Sequence, residues 1–236
     1  NFEGSPSLIV TRGAKIKAEG TLQQPIIFTS IHDQILPGEI VSKMEKKFIT
    51  DNNWWDTGKK PTFNNNPGIW GGILILGKAK GSFPGDKLEI QFQESLIRDD
   101  NFLFGGLDDD DNSGILKYVS IRFSGDKYQE LAGLTLAGVG SKTIIEKVEV
   151  YASPLDGISV LGGKVELRDI LIETNSRNSF SANYGWRGAL NNFFINQGGN
   201  FAFDLQGPKG IEYLGNHNIS KGTVSGWLNK GLIHLN

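Results

Sequence analysis

Cysteine is missing from all 236 residues, which removes disulfides, thiolate metal sites and cysteine nucleophiles together. Histidine is almost as scarce. His32, His217 and His234 are too scattered to spell a metal-ligand spacing or a triad. No apolar run approaches the ~20 residues of a membrane-spanning helix, and the opening residues do not form a signal peptide. Neither a Gly-x-Ser-x-Gly elbow nor a phosphate loop is present, which sets aside serine hydrolases and nucleotide enzymes. No long segment places apolar residues at i, i+3, i+4 and i+7 between helix caps. The net charge of −2 is too small a bias to point to nucleic acid or an acidic membrane.

What is abundant is glycine, at 31 residues, roughly twice the usual share of about 7%. The glycines are spread along the chain, as many separate turns require. Between them the sequence repeats. The pattern apolar-x-x-apolar-x-apolar occurs at Leu116, Val119, Ile121, then at Ile145, Val148, Val150, at Leu167, Ile170, Ile172 and at Leu190, Phe193, Ile195. A second series starts at Leu134, Ile158, Phe180 and Phe201, each opening a short alternating run. Two independent series with a period near 22 residues predict a repeat architecture.

Short strands separated by Gly, Asn, Ser and Asp do not suit helical repeats. The leucine-and-asparagine consensus of leucine-rich repeats is missing, and a β-propeller needs a period of roughly 40 or more. The pattern predicts an all-β fold: a right-handed parallel β-helix of ~22-residue coils, stacked ~4.8 Å apart. One coil buries about four or five apolar side chains worth roughly 1.5–3 kcal/mol each. Ordering its residues costs roughly 1.5 kcal/mol apiece. A lone coil therefore cannot fold, and its neighbours must complete the core. Residues 1–236 are expected to form one such domain, with 31–69 as a loop insertion. The chain enters a strand at Leu8 and ends on the strand-like 231–236, so a cap, a further domain or a neighbouring subunit is expected to cover the stack.

Several segments resemble a known family. They are Leu8 to Ile16, Ala18 to Thr21, Pro25 to Ser30, Trp70 to Ile73, Gly77 to Ala79, Asp110 to Gly114, Gly133 to Gly140 and Tyr184 to Gly188. Together they look like the coils of pectin-lyase-like β-helix proteins of Gram-negative bacterial surfaces. The resemblance implies the fold and an extracellular or surface-attached location. It implies no reaction, because most such proteins have no assigned activity and fold alone is a poor guide to function. Polysaccharide lyases of this fold use Ca²⁺ with an arginine or lysine base, and its glycoside hydrolases use paired carboxylates. Asp109, Asp111, Asp156 and Arg122 are the residues here from which such a set would be drawn. The coil at 180–184 is less acidic than the family pattern implies.

Three further features carry candidate chemistry. Asp108, Asp109, Asp110 and Asp111, with Asn112, crowd hard oxygens as a Ca²⁺ site does, or form a solvated acidic loop. Trp54 and Trp55 in the insertion suit stacking on sugar rings, or staple the insertion to the coils. Tyr184, Trp186 and Arg187 combine aromatic faces with a guanidinium that forks onto carboxylates, or pack a corner. Asparagines at 175, 178, 183, 191, 192, 196 and 200 fall at turns and suit an amide ladder between coils.

The expectation is a non-catalytic extracellular β-helix module, a rigid adhesin-type scaffold whose partner is a polysaccharide or cell-surface glycan. The alternatives are a polysaccharide lyase or glycoside hydrolase acting on the coil face, and a structural subunit joined end to end with another chain.

Overall fold

The computed structural model describes residues 6–30, 33, 70–83, 85, 87–90, 99–125, 130–196, 199–209, 215–226 and 231–235. All but two of its strands fall into two stacked parallel sheets. The first contains β1 (Ser7–Val10), β4 (Gly72–Leu76), β8 (Leu134–Ala137), β10 (Ile158–Leu161), β12 (Asn178–Asn183), β14 (Phe201–Leu205) and β16 (Gly231–Leu235), hydrogen-bonded in that order. The second stacks β2 (Ile16–Glu19), β7 (Gly114–Arg122), β9 (Ile144–Tyr151), β11 (Glu166–Glu173), β13 (Ala189–Asn196) and β15 (Asn218–Ser225), with β3 (Ile26–Phe28) also pairing with β7. Successive strands alternate between the sheets, so the chain winds as a right-handed parallel β-helix, the hand that parallel crossovers take.

Each long strand of the second sheet is two straight pieces joined at a corner. Tyr118, Lys147, Asp169, Asn192 and Lys221 all have φ between 51° and 56°. These residues drop out of the pairing register, which runs Leu116–Ile145–Leu167–Leu190–Ile219 before the corner and Val119–Val148–Ile170–Phe193–Gly222 after it. In the first coil the same two pieces are the separate strands β2 and β3, pairing with the two halves of β7. The coil is therefore three-sided. The corner also explains the x-x gap in the sequence pattern. One left-handed residue resets the alternation, so Leu116 and Val119 both point inward.

The core follows from that phase. Leu116, Ile121, Leu134, Leu136, Ile158, Val160, Leu167, Ile172, Phe180 and Leu190 have no exposed surface and form one continuous cluster along the stack. The second sequence series needs one correction. Its last member is out of step, because Phe180 pairs with Phe203 and Phe201 pairs with Asn178. A two-residue slip preserves side-chain alternation, so the sequence alone could not distinguish the two registers.

Nor do the asparagines form one amide ladder. Asn178 bonds to Asp204 at 3.1 Å, Asn183 to Gln206 at 3.1 Å and Asn192 to Asp169. Each reaches the adjacent coil, but toward an aspartate or a glutamine and not another asparagine. At the corner, Lys147 also bonds to Asp169 at 2.8 Å and lies 5.6 Å from the Tyr118 ring centroid. The column is held by mixed charges and amides. The proposed insertion at 31–69 lies outside the described residues except for Asp33.

A second departure from the coil, at 77–113, went unrecognised in the sequence. It carries an antiparallel pair, β5 (Leu88–Glu89) and β6 (Leu103–Phe104), preceded at β6 by a single 3₁₀ turn (Asp100–Phe102). Its described residues fold over the outer face of the first sheet. Leu74, Leu76 and Ala137 point outward, yet they are buried with Phe83, Phe104 and Leu131. Strand β4 is accordingly buried on both faces, as its unbroken apolar sequence GILIL requires. No helix among the described residues is long and apolar enough to cross a membrane.

Candidate functional site

Where that cover ends, the outer face of the first sheet changes character. The outward column reads Leu74, Thr135, Ser159, Ser181, Asp204 and His234 in register. The neighbouring column reads Leu76, Ala137, Leu161 and Asn183, and Gln206 bonds to Asn183 from the next coil. Short hydroxyl side chains leave space that longer ones would fill. A cleft of about 660 Å³ opens over them, within the usual range for ligand sites. Its apolar lining is the edge of the cover, from Leu88, Ile90 and Phe104 with Leu131, and Glu130 and Arg177 also line it.

The floor is a connected polar network. Asp156 is 3% exposed, and its Oδ1 accepts from Arg177 Nε at 2.7 Å and from the Asn178 backbone N–H at 3.0 Å. Asp204 accepts from Asn178 Nδ2 and from Gln206 Nε2, while His234 Nδ1 lies 2.9 Å from its Oδ1. Burial works to lower the pKa of Arg177, but the bond and charge of Asp156 outweigh it and the guanidinium is held above its ordinary value. One floor group is left over. Thr135 is 3% exposed and lines the cleft, and its Oγ1 has no hydrogen-bond partner. A buried hydroxyl without a partner is costly, and a ligand hydroxyl would relieve that cost.

Of the residues singled out in the sequence, Asp156, Asn178 and Asn183 line this cleft, as does Tyr184. Its ring packs edge-on against Phe83, with centroids 5.9 Å apart, and Lys209 Nζ lies 5.3 Å from its centre. Trp186 must be corrected from sugar platform to core residue. It is 2% exposed, donates to the Val165 carbonyl at 3.1 Å and stacks on His217. Gly188 makes this possible, since a β-carbon there would lie 1.7 Å from the Val165 oxygen and 2.5 Å from the indole nitrogen.

Arg187 is also committed elsewhere. Its two terminal nitrogens clamp both oxygens of Asp109 at 2.6 Å, and one of them also donates to the Lys80 carbonyl. This bidentate pair spans 78 residues and pins the cover to the later coils. It holds the Asp109 carboxyl below the usual carboxylate range, chiefly through the bond from Arg187. Two features that the sequence suggested as separate sites are thus one structural clamp.

The acidic run does not converge on a cation. Asp109 faces Arg187, Asp110 accepts from Ser141, Asp111 is buried and accepts from Ser113, and Asn112 caps the Gly114 N–H. Asp108 accepts from the Asp110 backbone. Among the described residues no three His, Cys, Asp or Glu side chains gather where a metal ion could be held. These residues do not fit the calcium site expected of them, because neighbours have pulled the carboxylates in different directions. The set of Asp109, Asp111, Asp156 and Arg122 does not assemble either. Arg122 bonds to Ser120 and pairs with Asp33 and Glu149, while Asp156 lies in the cleft. Trp54 and Trp55 lie outside the described residues.

Among the cleft residues missed in the sequence are Thr135, Ser159, Ser181 and Asp204. They occupy the same outward position of successive coils, and that position was the signal.

A family model described as a pectate-lyase-like β-helix domain matches residues 59–227. No curated protein and no solved structure matches the chain.

Proposed function

The chain belongs to the pectate-lyase-like β-helix domain family, and from that premise we propose that it is a rigid extracellular module that binds a carbohydrate chain without cleaving it. The carrying observation is the switch of the outer column from Leu74 to Thr135, Ser159, Ser181 and Asp204 at the edge of the cover, above which the cleft opens. Stacked strands give stiffness along the axis. Four coils present this polar line over roughly 14 Å, at ~4.8 Å per coil. Saccharides have hydroxyls for such a line and CH faces for the apolar wall and the Tyr184 ring. Asp156 and Asp204 already accept bonds from fixed neighbours, which suits them to positioning.

Binding is tested by titrating the protein with a panel of plant, algal and bacterial oligosaccharides in a calorimeter. Ser181→Leu, which fills the cleft from an outward position, should weaken a hit at least about tenfold. The melting temperature should stay within a few degrees. If no member of the panel binds, or if Ser181→Leu binds as well as the wild type, the cleft is not a saccharide site.

A second reading, cleavage by a lyase or hydrolase, draws on the bridging of two carboxylates, Asp156 and Asp204, by Asn178 beside Arg177. It requires new reducing ends or an ultraviolet-absorbing unsaturated product from the bound glycan, lost in Asp204→Asn.

A further inference from the structure

We infer that the cleft is built for an uncharged glycan and rejects uronates. This rests on the carbohydrate reading above and adds the class of sugar. Among the described residues, four carboxylates, Glu89, Glu130, Asp156 and Asp204, line the cleft against two cations, Arg177 and Lys209. The guanidinium of Arg177 is already committed to a carboxylate. Arg177 bonds to Asp156 at 2.7 Å and also lies in the field of Glu130 and Asp204. A uronate reaching that guanidinium would meet three negative charges around one positive one. Lys209 stands over the Tyr184 ring, 5.3 Å from its centre.

A neutral sugar meets no such penalty. Its hydroxyls donate to Asp204 and Glu130, and exchange bonds with Ser159, Ser181 and the unpartnered Oγ1 of Thr135. Carboxylates are strong acceptors for neutral hydroxyls, while like charges brought together in a partly desolvated cleft repel. The same charges that help hold a neutral glycan therefore exclude an acidic one.

The experiment compares neutral hexasaccharides (xylose-, glucose- and mannose-based) with hexagalacturonate, by calorimetry at pH 7.5 and low salt. A neutral oligomer should bind at least about tenfold more tightly than the uronate, and raising salt to 0.5 M should narrow that gap by screening. Glu130 is exposed, so Glu130→Lys leaves the core untouched. This change should raise uronate affinity about three- to tenfold without raising neutral affinity. Uronate binding equal to or tighter than neutral binding overturns the inference but leaves the cleft a saccharide site. A gap unmoved by both salt and Glu130→Lys overturns the electrostatic account. Failure of every oligomer to bind defeats the carbohydrate reading itself.

Discussion

Phe180 offers the sharpest test of the stacked core. Its ring has no exposed surface, pairs in register with Ile158 on one side and Phe203 on the other, and lies 5.4 Å from Trp186 and 6.1 Å from Phe203. Truncation to alanine removes the ring and leaves a cavity that strands hydrogen-bonded on both sides cannot close. The expected loss is about 3–5 kcal/mol, a large part of the ~5–15 kcal/mol that holds a typical domain. With a urea slope of about 2 kcal/mol/M, the unfolding midpoint should fall by roughly 2 M. Phe194→Ala is the internal control. Phe194 is 41% exposed on the outward face of β13 and pairs with Leu171 and Thr223, so its loss should stay below about 1 kcal/mol. The two variants remove the same atoms and differ only in which side of the coil they face. Equal midpoints for both, measured by circular dichroism in urea, would refute the assignment of inward and outward positions.

The Asp109 clamp predicts that Asp109→Asn costs about 2–3 kcal/mol, and that Arg187→Lys, which cannot fork onto both oxygens, loses most of the same amount. Millimolar Ca²⁺ should leave the wild-type melting temperature unchanged, since the acidic run is already paired; a rise of several degrees would restore a cation site. Acid titration should also report these pairs. Asp109, Asp169 and Glu146 are all held below their ordinary values, the first chiefly by Arg187 and the other two chiefly by Lys147. Folding thus gains from their ionised forms above the ordinary carboxylate range, and thermal melts should show that gain lost as pH falls through their lowered values. At the corner column, Lys221 has φ 56° one coil from Asn192. Lys221→Asn, a residue that tolerates this conformation, should raise stability by about 0.5–1 kcal/mol in urea melts.

The coil was legible because hydrophobic phase is a local property. Leu116, Val119 and Ile121 announce two inward pieces and the break between them within six residues, and the next coils repeat the message. The corner itself was not legible. Tyr118, Lys147, Asp169, Asn192 and Lys221 share a backbone conformation but no residue type, because side-chain contacts along the column offset the strain in place of glycine. The excursion at 77–113 was hidden for a related reason. Its strands are two residues long, and its main signature, the unbroken apolar run of β4, reads equally well as a strand buried by other coils.

Candidate chemistry fared differently because conspicuous residues are often conspicuous for structural reasons. An aspartate run and an aromatic-arginine turn draw attention separately. Nothing within either segment says that Asp109 and Arg187, 78 residues apart, hold each other, or that Trp186 turns inward over a glycine. The cleft shows the converse. Thr135, Ser159, Ser181 and Asp204 are ordinary letters, one per coil, at the positions an inward-facing pattern leaves blank. Stacking turns a period of 22–24 residues into a spacing of one strand, so residues with no local signature become a continuous line. In a solenoid the inward letters report the fold. A binding surface is to be sought in the outward letters, at the coil where they turn from the apolar residues of a covered face to small polar ones.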